Sequence, residues 1–124
     1  MIGNTDIFTE ANKDEIKLLA RCIMSEASLL PLEGKQAVCE VIFNRVRSEN
    51  YPNTISEVIN QPGQFYTGDN GTPTDDCYTA IICALCSPKY PKDMYWFRLD
   101  KVDNGYFYKK IGNTYFSTET QTDL

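Results

Sequence analysis

A chain of 124 residues without a histidine has few ways to break a covalent bond. No Ser-His-Asp triad, Cys-His pair or His-ligated zinc site can be assembled from it. Hydrolytic chemistry falls to carboxylates, aided by Tyr, Asn, Gln and backbone groups. One carboxylate stands out by position. Ile16, Leu19, Ile23 and Ala27 recur at helical spacing and make one apolar stripe. Glu26 is in helical register with Leu19 and Ile23, which puts its carboxyl at the edge of that stripe. A carboxyl beside a core-facing surface is costly unless it is paired, or protonated and used. Spacing alone leaves two readings open: an ion-pair partner for Arg21 or Lys35, or a functional acid. Among downstream carboxylates, Glu33 suits the start of the next helix. Glu40 reads as a solvated helix face or a partner for Arg45.

Other residue types narrow the chemistry further. The five cysteines are Cys22, Cys39, Cys77, Cys83 and Cys86, all in apolar helical stretches. An odd count does not suit a disulfide framework, so free thiols packed as small hydrophobes are expected. A Cys22–Cys39 bridge between neighbouring helices is the alternative. Cys83 and Cys86 have zinc-like spacing, but no fourth ligand accompanies them, so no metal or other cofactor is expected. A formal net charge of -5 argues against a nucleic-acid partner, which needs a basic face. Aromatics concentrate late in the chain: Phe65, Tyr66, Tyr95, Trp96, Phe97, Tyr106, Phe107, Tyr108, Tyr115 and Phe116. Such rings with interleaved Asn, Gln and Tyr suit sugars, which offer apolar C–H faces and a rim of hydroxyls. About half of them are expected to fill a sheet core instead, because successive strand residues face opposite ways.

The elements that must position these groups follow from local signals. Asn12 suits a helix N-cap with Glu15 as its capping-box partner, for a helix running to about Ser28. Leu29 to Gly34 is a break. Pro31 fits the first turn of a second helix ending near Ser48, with Ala37, Val38, Val41, Ile42 and Val46 as its apolar face. So short a connection predicts a helical hairpin. Asn44 and Arg45 lie near its groove, where they suit either bracing or ligand contact. Thr54 and Glu57 form a capping box for a short helix through Asn60. Gln61-Pro62-Gly63-Gln64-Phe65-Tyr66 is a loop, followed by a Gly/Asn/Asp-rich segment to Thr72 that is expected to be mobile. Thr74 caps a further helix, with Asp75 and Asp76 in its first turn, that stops near Pro88. Met94 to Leu99 reads as a strand. Asn104-Gly105 signals a hairpin turn before Tyr106-Phe107-Tyr108, and Gly112-Asn113 a second turn before Tyr115-Phe116. Helices first and a small antiparallel sheet last predict a single α+β domain over 1–124. Residues 1–11 are expected to be a leader segment with Ile7 and Phe8 packed back on the body. Residues 118–124 are expected to be a loose polar tail.

Three stretches carry a resemblance. LLARCIMSEA, LEGKQAVCEVIFNRVRSENYPNTISEVI and QPGQF resemble the cell-wall hydrolase family of spore cortex-lytic enzymes, the SleB/CwlJ type. The family pattern runs A-x-x-x-x-x-EA, EG-x-x-AV-x-x-V-x-x-NR-V, FP-x-T and V-x-x-(Q/E)PG-x-F. Met94 to Phe97 resembles its later ALYF strand, and Ile111 to Phe116 its IGxHxF ending. The likeness covers roughly residues 15–117 and is looser in the last third. It implies that the helical half is lysozyme- and lytic-transglycosylase-like. It also implies that Glu26, the Glu of the EA pair, is the catalytic acid. Gln64, Phe65 and Tyr66 are expected to wall a sugar cleft, with Asn44, Tyr95 and Tyr115 as further substrate contacts. Where the family commonly has His this chain has Thr114, so altered activity or a substitute role for Tyr115 is expected.

The implied reaction cleaves peptidoglycan or spore cortex between N-acetylmuramic acid and N-acetylglucosamine. Glu26 alone would protonate the glycosidic oxygen; the muramic 6-hydroxyl would then close a 1,6-anhydro ring. Attack by water would normally call for a second carboxylate, and no Asp sits in a recognisable motif. Acting as an acid near neutral pH requires a raised pKa, which apolar neighbours can supply. The alternative is a non-catalytic glycan-binding or assembly module on the same scaffold. The expected partner is the glycan strand, with no membrane span and a monomeric chain. Residues 1–13 lack the basic start and apolar run of a signal peptide. Delivery to wall or cortex is therefore expected through a leader outside this stretch, or through spore, phage or lysis.

Overall fold

A computed structural model describes residue 7, residues 12–65 and residues 71–121. Phe8, Tyr66 and the remainder of the expected leader lie outside these residues, as does most of the segment expected to be mobile. Ile7 is buried in the main hydrophobic cluster. Among the described residues four helices with defined bounds come first: α1 (Lys13–Ala27), α2 (Leu32–Arg47), α3 (Ile55–Ile59) and α4 (Asp75–Cys86). Three strands follow: β1 (Met94–Leu99), β2 (Tyr106–Ile111) and β3 (Thr114–Thr118). The α+β class and every element read from the sequence are present.

The caps hold in part. Asn12 Oδ1 accepts from the Glu15 backbone N–H at 2.9 Å. The Glu15 carboxylate accepts from the Ser56 N–H at 2.9 Å and ties α1 to the start of α3. Thr54 and Glu57 pair through both backbone and side chain. The Thr74 side chain makes no cap bond on α4; its hydroxyl meets Cys77 Sγ.

Helix α2 packs against α1, as the short connection predicts, and is the axis of the molecule as well. Every residue from Gly34 to Arg45 is buried, because α1, α3, α4 and β1 all pack on it. A helix covered on every side loses the one-sided stripe that the sequence suggests. Its polar side chains must then find partners inside the protein. Lys35 donates to the carbonyls of Ser28 and Leu30 at the end of α1. Gln36, Glu40 and Asn44, four residues apart, form a polar ridge facing the chain between α4 and β1. Gln36 donates to the Ser87 carbonyl at 3.2 Å. Glu40 accepts from the Lys89 and Tyr90 N–H groups at 3.2 and 3.0 Å. Asn44 donates to the carbonyls of Pro91 and Met94 at 2.9 and 3.0 Å. This ridge fixes where β1 begins. Glu40 is therefore neither solvated nor paired with Arg45. Burial pushes its carboxyl above the ordinary range, opposed by those N–H donors and Gln36.

The sheet is antiparallel in the order β1-β3-β2. Gly112-Asn113 does join neighbours, with Ile111 opposite Thr114 and Gly112 at φ +57°. Asn104-Gly105 does not, because β3 inserts between β1 and β2. Gly105 serves another purpose. At φ +72°, a Cβ there would lie 2.5 Å from the Thr118 carbonyl and 2.6 Å from the Trp96 ring. Its absence lets the indole lie down on the backbone.

Of the late aromatics among the described residues, Phe116 alone is fully buried, while Tyr106 and Phe107 are about half exposed. β2 is an edge strand exposed on both faces at Tyr106 and Phe107, so fewer rings enter the core than alternation suggests. The tail is also shorter than expected. Thr118 is buried in β3, and the backbone N–H groups of Glu119 and Thr120 donate to Asp93 at 2.9 Å each.

Candidate active site

Strand alternation sorts β3 into two faces. Thr114, Phe116 and Thr118 are buried. Tyr115 and Ser117 point to the other face, where their cross-strand partners are Arg98 and Trp96 on β1. Residues of β1, β3 and the connection before β2 meet the end of α1 and the loop after α3 around a cavity of about 230 Å³. Glu26, Arg45, Gln64, Phe65, Trp96 and Tyr115 line it, with Phe97, Arg98, Asp103, Asn104, Gly63 and Ser117.

Glu26 stands in the last turn of α1 and is half-buried. One turn earlier is Cys22, whose thiol is pushed up to about 12, first by burial, then by the Glu26 charge, and against the pull of Arg45. A carboxylate and a guanidinium thus act on one buried thiol from the same cavity wall. Lys35, one candidate ion partner for Glu26, is committed to backbone carbonyls. Arg21 is exposed.

Arg45 is buried, and its guanidinium is engaged by hydrogen bonds and by aromatic rings. Nε donates to the Tyr95 carbonyl at 2.8 Å and Nη1 to Gln64 Oε1 at 3.0 Å. The Tyr51 and Phe65 rings lie 4.9 and 5.3 Å from its central carbon. The planar fork suits this double duty of stacking and donating. From α2, Arg45 therefore holds both the QPGQF loop and strand β1. Phe65 continues into an aromatic row, 6.0 Å from Phe97, which is 5.9 Å from Phe116.

Of the residues expected from sequence, Glu26, Gln64, Phe65 and Tyr115 meet in this cavity. Asn44 and Tyr95 do not line it among the described residues. Asn44 braces α2 to β1, and the Tyr95 ring packs between Tyr51 and Trp96 at 5.8 Å from each. Tyr66 lies outside the described residues. Thr114 is buried beside the β2–β3 turn and does not line the cavity. Sequence reasoning left Trp96 and Phe97 undivided among the aromatics and missed Arg98, Asp103, Asn104 and Ser117. Asp103 is the second carboxylate on the cavity wall, paired with Arg98 at 2.8 Å. It sits in an irregular connection, which periodicity cannot place.

The family pattern of cell wall hydrolases matches residues 30–119, which take in α2, α3, α4 and the whole sheet. The chain belongs to the cell wall hydrolase family. Glu26 falls just before the matched interval. Spore cortex-lytic enzymes from Oceanobacillus iheyensis and Bacillus cereus are each 30% identical to this chain, over 85% and 90% of it. The chain spans under half the length of these relatives, 42% and 47%. Two solved structures share the fold. The catalytic domain of the germination-specific lytic transglycosylase SleB from Bacillus anthracis matches with a TM-score of 0.74 and 26% identity. That match covers 87% of this chain and 97% of the other. The catalytic domain of the Bacillus cereus SleB protein matches with a TM-score of 0.76 and 27% identity, over 86% and 91%.

Proposed function

We propose that this chain is a catalytic domain that cleaves the glycan strands of peptidoglycan, in spore cortex or cell wall, with Glu26 as its acid. The observation that carries the reading is the convergence of Glu26 with Gln64, Phe65, Trp96 and Tyr115 on one cavity. Its rings suit sugar faces, and its polar groups suit their hydroxyls and amides. The likeness to lytic transglycosylase catalytic domains supports the same chemistry.

In this reading Glu26 gives its proton to the glycosidic oxygen between N-acetylmuramic acid and N-acetylglucosamine. The C–O bond breaks toward an oxocarbenium-like carbon. The muramic 6-hydroxyl adds to that carbon and returns its proton to Glu26, leaving a 1,6-anhydro end. The leaving sugar departs with the first proton, so the acid is restored at each turnover. Attack by water instead would draw on a second carboxylate, and Asp103 is the lining group available for it.

Glu26→Gln keeps the shape of the side chain and removes the proton. Cleavage of purified peptidoglycan should fall by about 100- to 10,000-fold, with an unchanged melting curve. A variant that melts normally and still clears the substrate sinks the assignment. Mass spectrometry of the wild-type products, read for anhydro against reducing ends, decides between ring closure and hydrolysis.

A further inference from the structure

A guanidinium only donates hydrogen bonds. The atom of the Gln64 amide turned toward Arg45 Nη1 is therefore its oxygen, at 3.0 Å. A flipped amide would set N–H against N–H. Arg45 cannot swing away to accommodate the flip, because Nε is bonded to the Tyr95 carbonyl and the Tyr51 and Phe65 rings pack against the guanidinium. Gln64 lines the cavity with its oxygen held by Arg45, which fixes the amide's polarity and leaves the NH2 as its donor end. Next to it stands the apolar wall of Phe65 and Phe97, rings 6.0 Å apart.

We propose that Gln64 is a specificity-determining donor to the carbonyl oxygen of a sugar N-acetyl group, whose methyl packs on the Phe65–Phe97 wall. This rests on the glycan-cleaving reading and adds which feature of the sugar is recognised. An acetamido group pairs a strong acceptor with a methyl, matching a fixed donor beside aromatic rings. A sugar hydroxyl both donates and accepts, so it would bind either polarity of the amide and gain nothing from the Arg45 clamp.

The test compares Gln64→Glu with wild type on N-acetylated glycan strands and on the same strands after enzymatic de-N-acetylation. Glu keeps one oxygen against Arg45 and replaces the NH2 with a second oxygen. On acetylated strands the variant should lose roughly tenfold to a hundredfold in kcat/KM, mainly through KM, since an acceptor then faces an acceptor. On de-N-acetylated strands wild type should fall by a comparable factor. The variant should there equal or exceed it, because the free ammonium meets a carboxylate. A variant that retains wild-type kcat/KM on acetylated strands overturns the proposal. So does a wild type indifferent to acetylation, a measurement that stands even if the variant fails to fold. A wild type that cleaves neither strand sinks the glycan-cleaving reading itself, and this proposal with it.

Discussion

A buried guanidinium is stable only when its donors are taken up, and those of Arg45 reach two separate segments of the cavity wall. Lys offers a single ammonium that cannot donate to the Tyr95 carbonyl and Gln64 while also stacking between Tyr51 and Phe65. Arg45→Lys should therefore cost about 1–3 kcal/mol in urea unfolding and lower glycan cleavage further than the stability loss explains. Retention of full activity would show that the loop holds its shape without the clamp. The thiols make a second residue-scale test. All five cysteines are free, but Cys22, Cys39 and Cys77 are buried, Cys83 is partly covered and Cys86 is exposed. The sequence placed all five in apolar helix, which is true of the stretches and not of each face. Alkylation of the native protein should mark Cys86 first. Raising the pH from 7 to 9 should not recruit Cys22, whose thiol ionises only near 12. Titration after denaturation without reductant should count all five.

At the scale of elements, the loop before β2 carries more of the site than its length suggests. Gly105 has φ +72° and lies under the ring of Trp96, which lines the cavity. Gly105→Ala meets both backbone strain and a clash, and should displace the indole, lower activity and cost about 1–3 kcal/mol. Gly63 has φ +74° with nothing within 4 Å of where a methyl would stand, so Gly63→Ala should cost only the strain, about 1 kcal/mol. Trp96 is the single tryptophan of the chain. Its fluorescence reports the difference directly: emission should shift in Gly105→Ala and stay put in Gly63→Ala. An unshifted spectrum in both would free Gly105 of its packing role.

For the whole molecule, helical half and sheet are joined through α2 and through the late strand β3. β3 pairs with both other strands, and its Phe116 is fully buried. Ending the chain after Asn113 removes the centre of the sheet and one wall of the cavity, since Tyr115 and Ser117 go with it. The shortened protein should lack a cooperative thermal transition by circular dichroism. If it melts cooperatively like the full chain, the helices hold the fold alone.

The sequence alone determined what depends on near neighbours. Helical spacing, Asn12, Pro31 and the Gly112-Asn113 turn set the elements to within a residue or two, since caps and periodicity are local physics. The motifs around Glu26 and Gln64 pointed to the acid and to one wall. Tertiary structure decided the partners that are far apart in sequence. Nothing near Glu40 or Asn44 foretells that they grip the chain before β1. Nothing near Asn104-Gly105 says that a later strand will insert between β1 and β2. Asp103, Arg98 and Trp96 became cavity residues only because β3 took that central place. Strand order and the burial of polar side chains are settled by which surfaces meet, and a linear pattern of residue types does not encode that meeting locally.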